Sequence, residues 1–527
     1  MTKQSGFRRN AQYLTFFSKK DHTNQSYSMG QLLGLILGPL LFVLILSFFH
    51  PVELPFKGVY VLGITVWIAI WWITEAIPIA ATSFLPLILL PLGHVLSPEQ
   101  VSSEYGNDII FLFLGGFILA IAMERWNLHT RVALTIIRYI GASTSKILLG
   151  FMIATGFLSM FVSNTAAVMI MIPIGLAIIK EANELKDDDV KSDSISKFEK
   201  SLVLAIGYSG TIGGLGTLIG TPPLIILKGQ FEQHFGQEIS FAKWMIVGIP
   251  TVIILIALAW AYLRFIAFRH DLKYLPGGQT LIEDKLNRLG KMSYEEKVVQ
   301  AIFILASLLW ITREFILKNF SITSEVADGT IAIFISILLF IFPAKSKEKH
   351  KRIIDWEVAK ELPWGVLILF GGGLALAKGI SESGLAKWLG EQLKMLDGVH
   401  PLVIVIVITI FVLFLTEVTS NTATATMILP ILAALSVAVG VHPMLLMVPA
   451  AMAANCAYML PVGTPPNAII FGSGKLSIKE MAKVGVWVNL ISAVIIIVVV
   501  YFLMPYILGF DISDTLNLKS VSYTHLR

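Results

Sequence analysis

The sequence predicts an all-α, polytopic membrane protein with about eleven transmembrane helices and two further re-entrant hairpins. Of its 527 residues, 55% are hydrophobic and only 14% are charged, and the mean hydropathy is +0.76, whereas soluble domains carry about 25% charged residues. A helix rises about 1.5 Å per residue and needs about 20 apolar residues to cross a bilayer core of about 30 Å. Apolar stretches of this kind recur from residue 31 to residue 510, which excludes a single-span receptor.

The composition also excludes several classes of protein. Cys456 is the sole cysteine, which rules out an internal disulfide and any cysteine-ligated metal or iron–sulfur centre. The ten histidines contain no HExxH pattern, which argues against a zinc protease. No His–acid or Ser–His pairing falls inside an apolar run, so no enzyme is predicted. The net charge of +5 predicts no nucleic-acid partner, because basic residues in a membrane protein mainly set its orientation.

Each sufficiently long apolar run is assigned, in chain order, to one crossing. The first run is retained as a span rather than a signal peptide, because Pro51-Val52-Glu53-Leu54 follows it instead of a small-residue cleavage site. The eleven predicted crossings are residues 31–49, 58–78, 80–93, 108–124, 203–231, 244–263, 298–316, 328–343, 362–377, 444–474 and 484–509. Two further apolar regions, 147–179 and 401–437, are predicted to enter and leave the membrane lipid on the same side.

The distribution of basic residues predicts the orientation. With the N-terminus inside, 30 of the 40 Lys and Arg residues fall on the cytoplasmic side and 10 on the outer side. This bias follows the positive-inside rule and requires an odd number of crossings. The sequence therefore predicts a multi-pass protein of the cytoplasmic membrane with a cytoplasmic N-terminus and an extracellular C-terminus.

The chain contains an internal repeat. A shift of 257 residues places the two Ser-Asn-Thr-Ala segments on each other, 163–166 on 420–423. A shift of 243 residues aligns the two Gly-Thr-Pro-Pro segments, 220–223 and 463–466. Matches that keep one order along the chain indicate a repeat. By the charge distribution, the stretches before the two Ser-Asn-Thr segments start from opposite sides of the membrane, so the repeat has inverted topology.

The repeat and the charges divide the chain into five predicted parts. These are a cytoplasmic tail (1–30), a first repeat (31–270) with a hairpin at 143–179, a cytoplasmic loop (271–297), a second repeat (298–510) with a hairpin at 400–437, and an external tail (511–527). Inverted repeats let one site face either side of the membrane in turn, which is typical of secondary transporters. A channel would need a continuous polar or basic pore stripe, and the sequence shows none.

Each Ser-Asn-Thr segment predicts the tip of a re-entrant hairpin. The first lies between 147–160 and 166–179, two arms of 14 residues that would each reach about 21 Å, short of the bilayer core. Non-helical backbone at membrane depth is tolerated only where it is buried or lines a cavity. A lone Ser-Asn-Thr more often makes helix–helix hydrogen bonds, but its recurrence in both repeats favours a binding site.

Each Gly-Thr-Pro-Pro predicts a broken helix, because proline removes a donor and clashes with the preceding turn, here near Gly220 and Gly463. The freed carbonyls, with nearby Ser, Thr and Asn oxygens, suit a hard cation such as sodium. The half-helices that follow should point unpaired N–H groups at the cavity, which suits a carboxylate. Glu75 and Glu124 are predicted to be structural or interfacial because neither recurs, and Glu417 is left open between structure and function.

These motifs closely resemble those of the divalent anion/sodium symporter family. The resemblance extends from about Gly30 to Phe510, and it is carried by Trp71 to Ile79, by both Ser-Asn-Thr tips and by Val462 to Asn467. It is strongest for the sodium-dependent dicarboxylate symporters of Gram-positive bacteria, which carry succinate, fumarate and malate. The resemblance implies a homodimer in which scaffold helices hold the dimer and a transport domain moves as an elevator.

The resemblance also implies the binding residues. The sodium ligands would be Ser159, Ser163, Asn164 and Gly220 at the first site and Thr416, Thr419, Asn421 and Gly463 at the second. The dicarboxylate would contact Asn164, Thr165, Thr221, Ser420, Asn421, Thr422, Thr464 and Pro465. No arginine is among these residues, so sodium and helix ends would meet the charge of the substrate.

Two residues depart from the family pattern. Leu224 stands where the motif usually ends in Asn, and Thr419 stands where some members have a small apolar residue. The implied function is sodium-coupled import of C4-dicarboxylates, with sodium as the co-transported ion. A dicarboxylate/anion exchanger and a sodium–sulfate symporter of the same fold remain alternatives. The intact segments 421–424 and 464–467 favour the symporter over the exchanger.

Overall fold

The computed structural model of the protein describes residues 27–141, 143–184, 192–275, 278–316, 326–345, 352–393, 398–514 and 516. Within these ranges the chain forms helices joined by short loops, and no β-strand occurs there. The predicted cytoplasmic tail 1–30 and the predicted external tail 511–527 lie largely outside the described residues.

The first half of the chain builds one repeat. Its helices are α1 (Met29–Phe48), α2 (Phe56–Thr74), α3 (Ile79–Thr82), α4 (Leu85–Leu92), α5 (Pro98–Glu104), α6 (Asp108–Arg125), α7 (Leu128–Ile140), α8 (Thr144–Ser159), α9 (Asn164–Glu184), α10 (Ser192–Gly213), α11 (Pro222–Phe235) and α12 (Phe241–Tyr262). Local sequence defines several starts. Ser28 and Ser97, for example, form capping boxes with the glutamines three residues later.

The second half follows the same order. Its helices are α13 (Gly278–Arg288), α14 (Tyr294–Phe315), α15 (Asp328–Ile341), α16 (Trp356–Ala359), α17 (Trp364–Glu382), α18 (Leu385–Leu393), α19 (Pro401–Leu415), α20 (Asn421–Ala438), α21 (Met444–Asn455), α22 (Pro465–Gly472), α23 (Ile478–Val498) and α24 (Met504–Leu508). From α6 and α17 onwards the two halves correspond helix by helix, so that α8 to α12 match α19 to α23.

Each predicted crossing contains helix, and nine helices in the described part of the chain are long and apolar enough to cross a membrane. For the first hairpin, the predicted length of the second arm was wrong. The first arm, α8, has 16 residues, but α9 has 21 and runs to Glu184. Exposed Lys180 pairs with Glu184 on its last turn, so the helix continues beyond the apolar run. Hydropathy marked the end of the apolar segment and not the end of the helix.

The helix pair α8 and α9 forms a hairpin with both ends at one end of the molecule. Thr144, at the start of α8, donates a hydrogen bond to Leu272 O at 2.5 Å, in the segment after α12. Glu181, near the end of α9, interacts electrostatically with Lys285 of α13. The turn between the two helices therefore points into the molecule.

The helix pair α19 and α20 is arranged in the same way. His400, just before α19, lies against Tyr501 with ring centroids 6.3 Å apart. His442, just after α20, stacks on Phe510 at 4.0 Å. Both contacts are with the segment at and after the end of α23, so the second hairpin also has its ends together and its tip inside.

The two broken helices, α10–α11 and α21–α22, run in opposite directions. Lys200, in the first turns of α10, pairs at 2.5 Å with Glu480, in the first turn of α23, the helix that follows α22. At the far end, Phe231 of α11 lies 6.4 Å from His442, just before α21. The start of one broken helix is therefore beside the end of the other, so these elements have inverted orientations.

A cluster of four charged side chains, three of them buried, joins α11 to α14 and α15. The Nζ of Lys228 lies 3.1 Å from Asp328 and 2.9 Å from Glu238, and the Lys228 side chain is only 1% exposed. Arg313 bonds the same two carboxylates at 2.8 Å. Burial opposes ionisation of Glu238, in the loop after α11, but bonds from Arg313 and the charge of Lys228 lower its pKa to about 2. Glu238 is therefore ionised at neutral pH, and the cluster fixes α11 to its neighbours.

Replacing Lys228 by methionine should destabilise the protein. The change keeps the length of the side chain but leaves the Asp328 carboxylate, which is 1% exposed, short of a cation. Removal of one partner from a buried ion pair costs about 3–5 kcal/mol. A lower melting temperature in detergent would show this loss. The control is Lys360→Met, whose pair with Glu357 is exposed and should contribute less than about 1 kcal/mol; equal melting temperatures for the two variants would contradict the account.

Candidate substrate and sodium site

One large cavity lies where the two hairpin tips and the two helix breaks meet. Its volume is about 1590 Å³. All the predicted substrate-binding residues line it, namely Asn164, Thr165, Thr221, Ser420, Asn421, Thr422, Thr464 and Pro465. No lysine, arginine or histidine occurs among the described residues of its lining. The cavity therefore offers amide groups, hydroxyl groups and helix ends to a carboxylate, but no guanidinium.

Both predicted helix breaks are confirmed. Thr221 is extended, with φ −147° and ψ 142°, and α11 begins at Pro222. In the second repeat Thr464 is also extended, with φ −155° and ψ 148°, and α22 begins at Pro465. Proline suits the first turn of a helix, because the N–H groups of that turn have no intrahelical partner. The same local sequence therefore produces the same backbone in both repeats.

The half-helices after the breaks do not present the N–H donors that the sequence led us to expect. Their first two positions are prolines, which have no N–H group. In each helix the next residue has an N–H group that is already bonded: Leu224 N–H donates to Thr221 O at 3.2 Å, and Asn467 N–H donates to Thr464 O at 3.0 Å. That expectation was therefore wrong, and only the partial positive charge of the helix end remains at these points.

The hairpin tips supply such donors instead. Helix α9 begins at Asn164 and α20 begins at Asn421, and the first N–H groups of a helix have no intrahelical partner. In α20 the first helical hydrogen bond runs from Thr424 N–H to Ser420 O, at 2.9 Å. The N–H groups of Asn421 and Thr422 come before it and have no partner within the helix. The first residues of both helices line the cavity. Two helix N-termini therefore face it, an arrangement that favours anions.

Four oxygen-bearing groups gather behind the first tip. The Ser159 hydroxyl lies 2.6 Å from the Asn164 side-chain oxygen and 2.5 Å from Gly210 O. The Asn164 amide atom that faces this group is 3.2 Å from both Gly210 O and Gly220 O. Ser159 is fully buried, so the group lies within the cavity wall. We call these atoms the first oxygen cluster.

An equivalent group, the second oxygen cluster, lies behind the second tip. The Thr416 hydroxyl lies 2.7 Å from the Asn421 side-chain oxygen and 2.7 Å from Ala454 O. The Asn421 amide atom that faces this group is 3.2 Å from Gly463 O and 3.3 Å from Ala454 O. The repeat thus places the same set of atoms on each side of the cavity.

Both oxygen clusters have a composition that fits a sodium ion. In each cluster the amide oxygen can accept a hydrogen bond from the hydroxyl, but the two backbone carbonyl oxygens repel it unless a cation lies between. The amide–carbonyl separations of 3.2–3.3 Å are close to the roughly 3.4 Å expected between neighbouring oxygen ligands of a hard cation with metal–oxygen distances of about 2.4 Å, whereas the hydroxyl separations of 2.5–2.7 Å are those of hydrogen bonds. If the amide turns over, its N–H groups face the same oxygens instead. Each cluster can therefore hold either a cation or the amide nitrogen.

Two predicted sodium ligands use their hydroxyl groups elsewhere. Ser163 Oγ accepts a hydrogen bond from Ala166 N–H at 3.2 Å. Thr419 Oγ1 bonds to Leu415 O at 2.8 Å and to Thr424 Oγ1 at 2.6 Å. Ser163 and Thr419 both line the cavity, and their hydroxyl groups are not among the atoms of the two oxygen clusters.

The departure at Leu224 corresponds to a real difference between the two breaks. In the second repeat the equivalent residue, Asn467, donates to Ala457 O at 3.1 Å. Leu224 is buried and carries no donor. The first break is instead held by the Thr217 hydroxyl, which donates to Met160 O. The two breaks therefore share their backbone path but not the side chain that supports it.

Sequence reasoning missed Asn455, the last residue of α21, which is fully buried and lines the cavity. Its Oδ1 accepts from Thr221 Oγ1 at 2.6 Å and from Asn164 Nδ2 at 3.2 Å. Its own Nδ2 donates to Thr211 O at 2.7 Å. A polar residue at the end of an apolar helix was the available signal. At the 243-residue shift it aligns with Ile212 of the first repeat, so comparison of the two repeats does not mark it.

The question about Glu417 is answered by its contacts. Its carboxylate accepts the N–H groups of residues 458–460 at 2.8–3.1 Å and the amide of Asn489 at 2.7 Å. The residue is 3% exposed. Glu417 therefore supports the backbone that leads to Gly463 and the second oxygen cluster.

A methyl group at Gly220 should abolish transport. A Cβ there would lie 2.4 Å from Gly214 O, a backbone atom that cannot move without changing the break. The Gly220 carbonyl would then leave the first oxygen cluster. Uptake by Gly220→Ala in proteoliposomes measures this effect, and Gly472→Ala, whose Cβ would meet open space, is the control. Normal uptake by folded Gly220→Ala would contradict this geometry.

Comparison with known proteins agrees with the motifs. The family model described as the sodium:sulfate symporter transmembrane region matches residues 30–508. The sodium-dependent dicarboxylate transporter SdcS of Staphylococcus aureus strain MRSA252 is 82% identical over 507 residues, which cover 96% of this chain and 97% of that protein, and SdcS of strain N315 is equally similar. The solved structure of Neisseria gonorrhoeae MtrF covers 96% of this chain and 98% of its own, with a TM-score of 0.55 and 9% identity, which shows a shared fold alone. The chain belongs to the sodium:sulfate symporter family.

Proposed function

We propose that the protein is a sodium-coupled symporter that imports C4-dicarboxylates such as succinate, fumarate and malate. The observation that carries this proposal is a cavity with no basic side chain among its described lining residues, flanked by two equivalent oxygen clusters. A dianion there needs positive charge, which bound sodium ions and two helix N-termini would supply. The relative from S. aureus is named a sodium-dependent dicarboxylate transporter, which supports the same substrate class here.

Sodium would also drive the import. The two oxygen clusters would hold sodium ions next to the substrate, so the empty cavity is less attractive to a dianion than the sodium-loaded one. If the carried complex has more sodium charges than substrate charges, the membrane potential contributes about 2.3 kcal/mol per net charge for each 100 mV. Sodium gradient and potential would then both favour uptake.

An asymmetry between the repeats supports alternating access. Helix α11 packs directly on α17, where Gln233 donates to Leu374 O at 3.1 Å. Its counterpart α22 does not pack in this way on α6, because the cavity lies between Phe471 of α22 and Phe117 of α6. If the two repeats exchanged these packing arrangements, the cavity would close on one side of the membrane and open on the other. Elevator motion of the hairpins and broken helices is the form of exchange that we propose.

The cavity opens at the end of the molecule where α1 starts and α6 ends. Gln31, Glu75, Glu124 and Glu361 line it there, so the glutamates expected to be structural or interfacial are part of the entrance. By the distribution of basic residues this end is cytoplasmic, and the arrangement would be inward-open. The proposal also includes two re-entrant hairpins, eleven crossings, a location in the cytoplasmic membrane and a homodimer, as in the family that the sequence resembles.

Ligand-dependent thermal stability tests this proposal on purified protein. Succinate should raise the melting temperature strongly in sodium buffer and little in potassium buffer, because binding stabilises by mass action only when the site is complete. Sulfate at the same concentration should have a smaller effect. Stabilisation by sulfate but not by succinate would favour the sodium–sulfate symporter. Equal stabilisation by succinate in both buffers would favour an exchanger and remove the sodium sites.

A further inference from the structure

We infer that Asn455 is a positioning residue: it fixes the orientation of the Asn164 amide and thereby sets the sodium affinity of the first oxygen cluster. Asn455 belongs to the second repeat, whereas the cluster belongs to the first. The inference rests on the proposed sodium-coupled function and adds to it a residue outside the family's motifs.

The contacts of Asn455 select one orientation of the Asn164 amide. Asn455 Nδ2 donates to Thr211 O at 2.7 Å, which directs Asn455 Oδ1 to the opposite side. That oxygen accepts the Thr221 hydroxyl at 2.6 Å and Asn164 Nδ2 at 3.2 Å. With its nitrogen held by Asn455, the Asn164 amide must turn its oxygen toward Ser159.

The opposite orientation competes with sodium. If the Asn164 amide turns over, its nitrogen comes within hydrogen-bond distance of Ser159 Oγ, Gly210 O and Gly220 O, and its oxygen faces Asn455 Oδ1 at 3.2 Å. The first three contacts satisfy the cluster without a cation. The last contact sets two oxygens against each other, because Asn455 is held by Thr211. Asn455 therefore raises the free energy of the orientation that excludes sodium.

The second oxygen cluster lacks this control. At the 243-residue shift the residue aligned with Asn455 is Ile212, whose side chain has no polar group, and the hydroxyl of the neighbouring Thr211 bonds to no described residue. Nδ2 of Asn421 has no hydrogen-bond partner among the described residues, and Asn421 lines the cavity. Its amide is therefore available to the substrate, whereas the amide of Asn164 is committed to Asn455. The first cluster is preoriented for sodium, and the second is completed when the substrate arrives.

The sodium dependence of Asn455→Leu tests this role. Leucine has the same branched shape but no acceptor, so the Asn164 amide loses the contact that holds it. Loss of a group that orients a metal ligand typically weakens metal affinity by about 10–100-fold. We expect the sodium concentration for half-maximal succinate uptake into proteoliposomes to rise at least about tenfold. The maximal rate at saturating sodium should change little.

Two further variants separate positioning from structure. Asn455→Asp keeps the acceptor for Asn164 and Thr221 but places an acceptor oxygen, in place of Nδ2, against Thr211 O, so its sodium dependence should lie between those of the wild type and Asn455→Leu. Ile212→Leu changes the symmetry-equivalent, buried apolar position and should leave the sodium dependence unchanged. If Asn455→Leu is not recovered as folded protein, Asn455→Ser, whose shorter side chain cannot reach both partners, is compared with Asn455→Asp in its place.

Each outcome decides the inference. An unchanged sodium dependence in Asn455→Leu would overturn it, as would equal losses in the Leu and Asp variants. A higher half-saturating succinate concentration at saturating sodium, with normal sodium dependence, would also overturn it by making Asn455 a substrate ligand. The wild type separates this test from that of the proposed function, since sodium-independent uptake by the wild type would remove the proposed function itself.

Discussion

Replacing Asn421 by alanine should abolish sodium-dependent uptake while the protein stays folded. The side-chain oxygen of Asn421 belongs to the second oxygen cluster, 2.7 Å from the Thr416 hydroxyl, and its nitrogen faces the cavity. One substitution therefore removes a sodium ligand and a substrate donor together. Removal of a group that hydrogen-bonds a charged partner costs about 1.5–3 kcal/mol, and two such losses would reduce uptake by about a hundredfold or more.

Radiolabelled succinate uptake measures this effect, with elution profile and melting temperature as the test of folding. Asn164→Ala should behave in the same way at the first cluster. Ser436→Ala is a matched control on the same helix as Asn421, because the bond of its hydroxyl among the described residues is to Ala433 O of its own helix, at 2.8 Å. Wild-type uptake by folded Asn421→Ala would remove this residue from the site.

Replacing Glu417 by alanine should also cause a near-complete loss of uptake, through the backbone and not through a ligand. The substitution would leave three backbone N–H groups of residues 458–460 and the Asn489 amide without their acceptor. Each unsatisfied buried group costs about 1–3 kcal/mol. Segment 458–460 leads directly to Gly463, so the second oxygen cluster would lose its geometry.

Uptake and thermal stability of Glu417→Ala should therefore fall together, and raised sodium should not restore the rate. Glu357→Ala is the control, because Glu357 is exposed and its only pair recorded in the described structure is with Lys360 on the same surface. A stable Glu417→Ala protein with normal uptake would show that the second break does not depend on this carboxylate.

The helix breaks could be predicted because proline acts locally. Two consecutive prolines, at 222–223 and 465–466, disfavour helix at the threonine before them, so Gly-Thr-Pro-Pro was sufficient. A single proline is weaker evidence, since Pro173 and Pro430 lie inside α9 and α20. The tips at Asn164 and Asn421 could be predicted because the repeat marks them twice. In both cases the information lies within a few consecutive residues, and the structure places these residues around one cavity.

The remaining features depend on contacts between distant residues. Asn455 meets Asn164, 291 residues away, and has no counterpart in the other repeat, so comparison of the repeats could not find it. Lys228 counted as an outer basic residue, but its side chain is buried against Asp328, 100 residues away. The end of α9 lay beyond the apolar run, because a helix can continue into polar surroundings with pairs such as Lys180–Glu184.

The most direct test of sodium-coupled dicarboxylate symport is uptake of radiolabelled succinate into proteoliposomes with no internal substrate. An inward sodium gradient is compared with an equal potassium gradient at the same membrane potential. The account predicts accumulation with sodium and none with potassium. Uptake that requires preloaded dicarboxylate and is indifferent to sodium would contradict it, since the protein would then be an exchanger and neither oxygen cluster would be a sodium site.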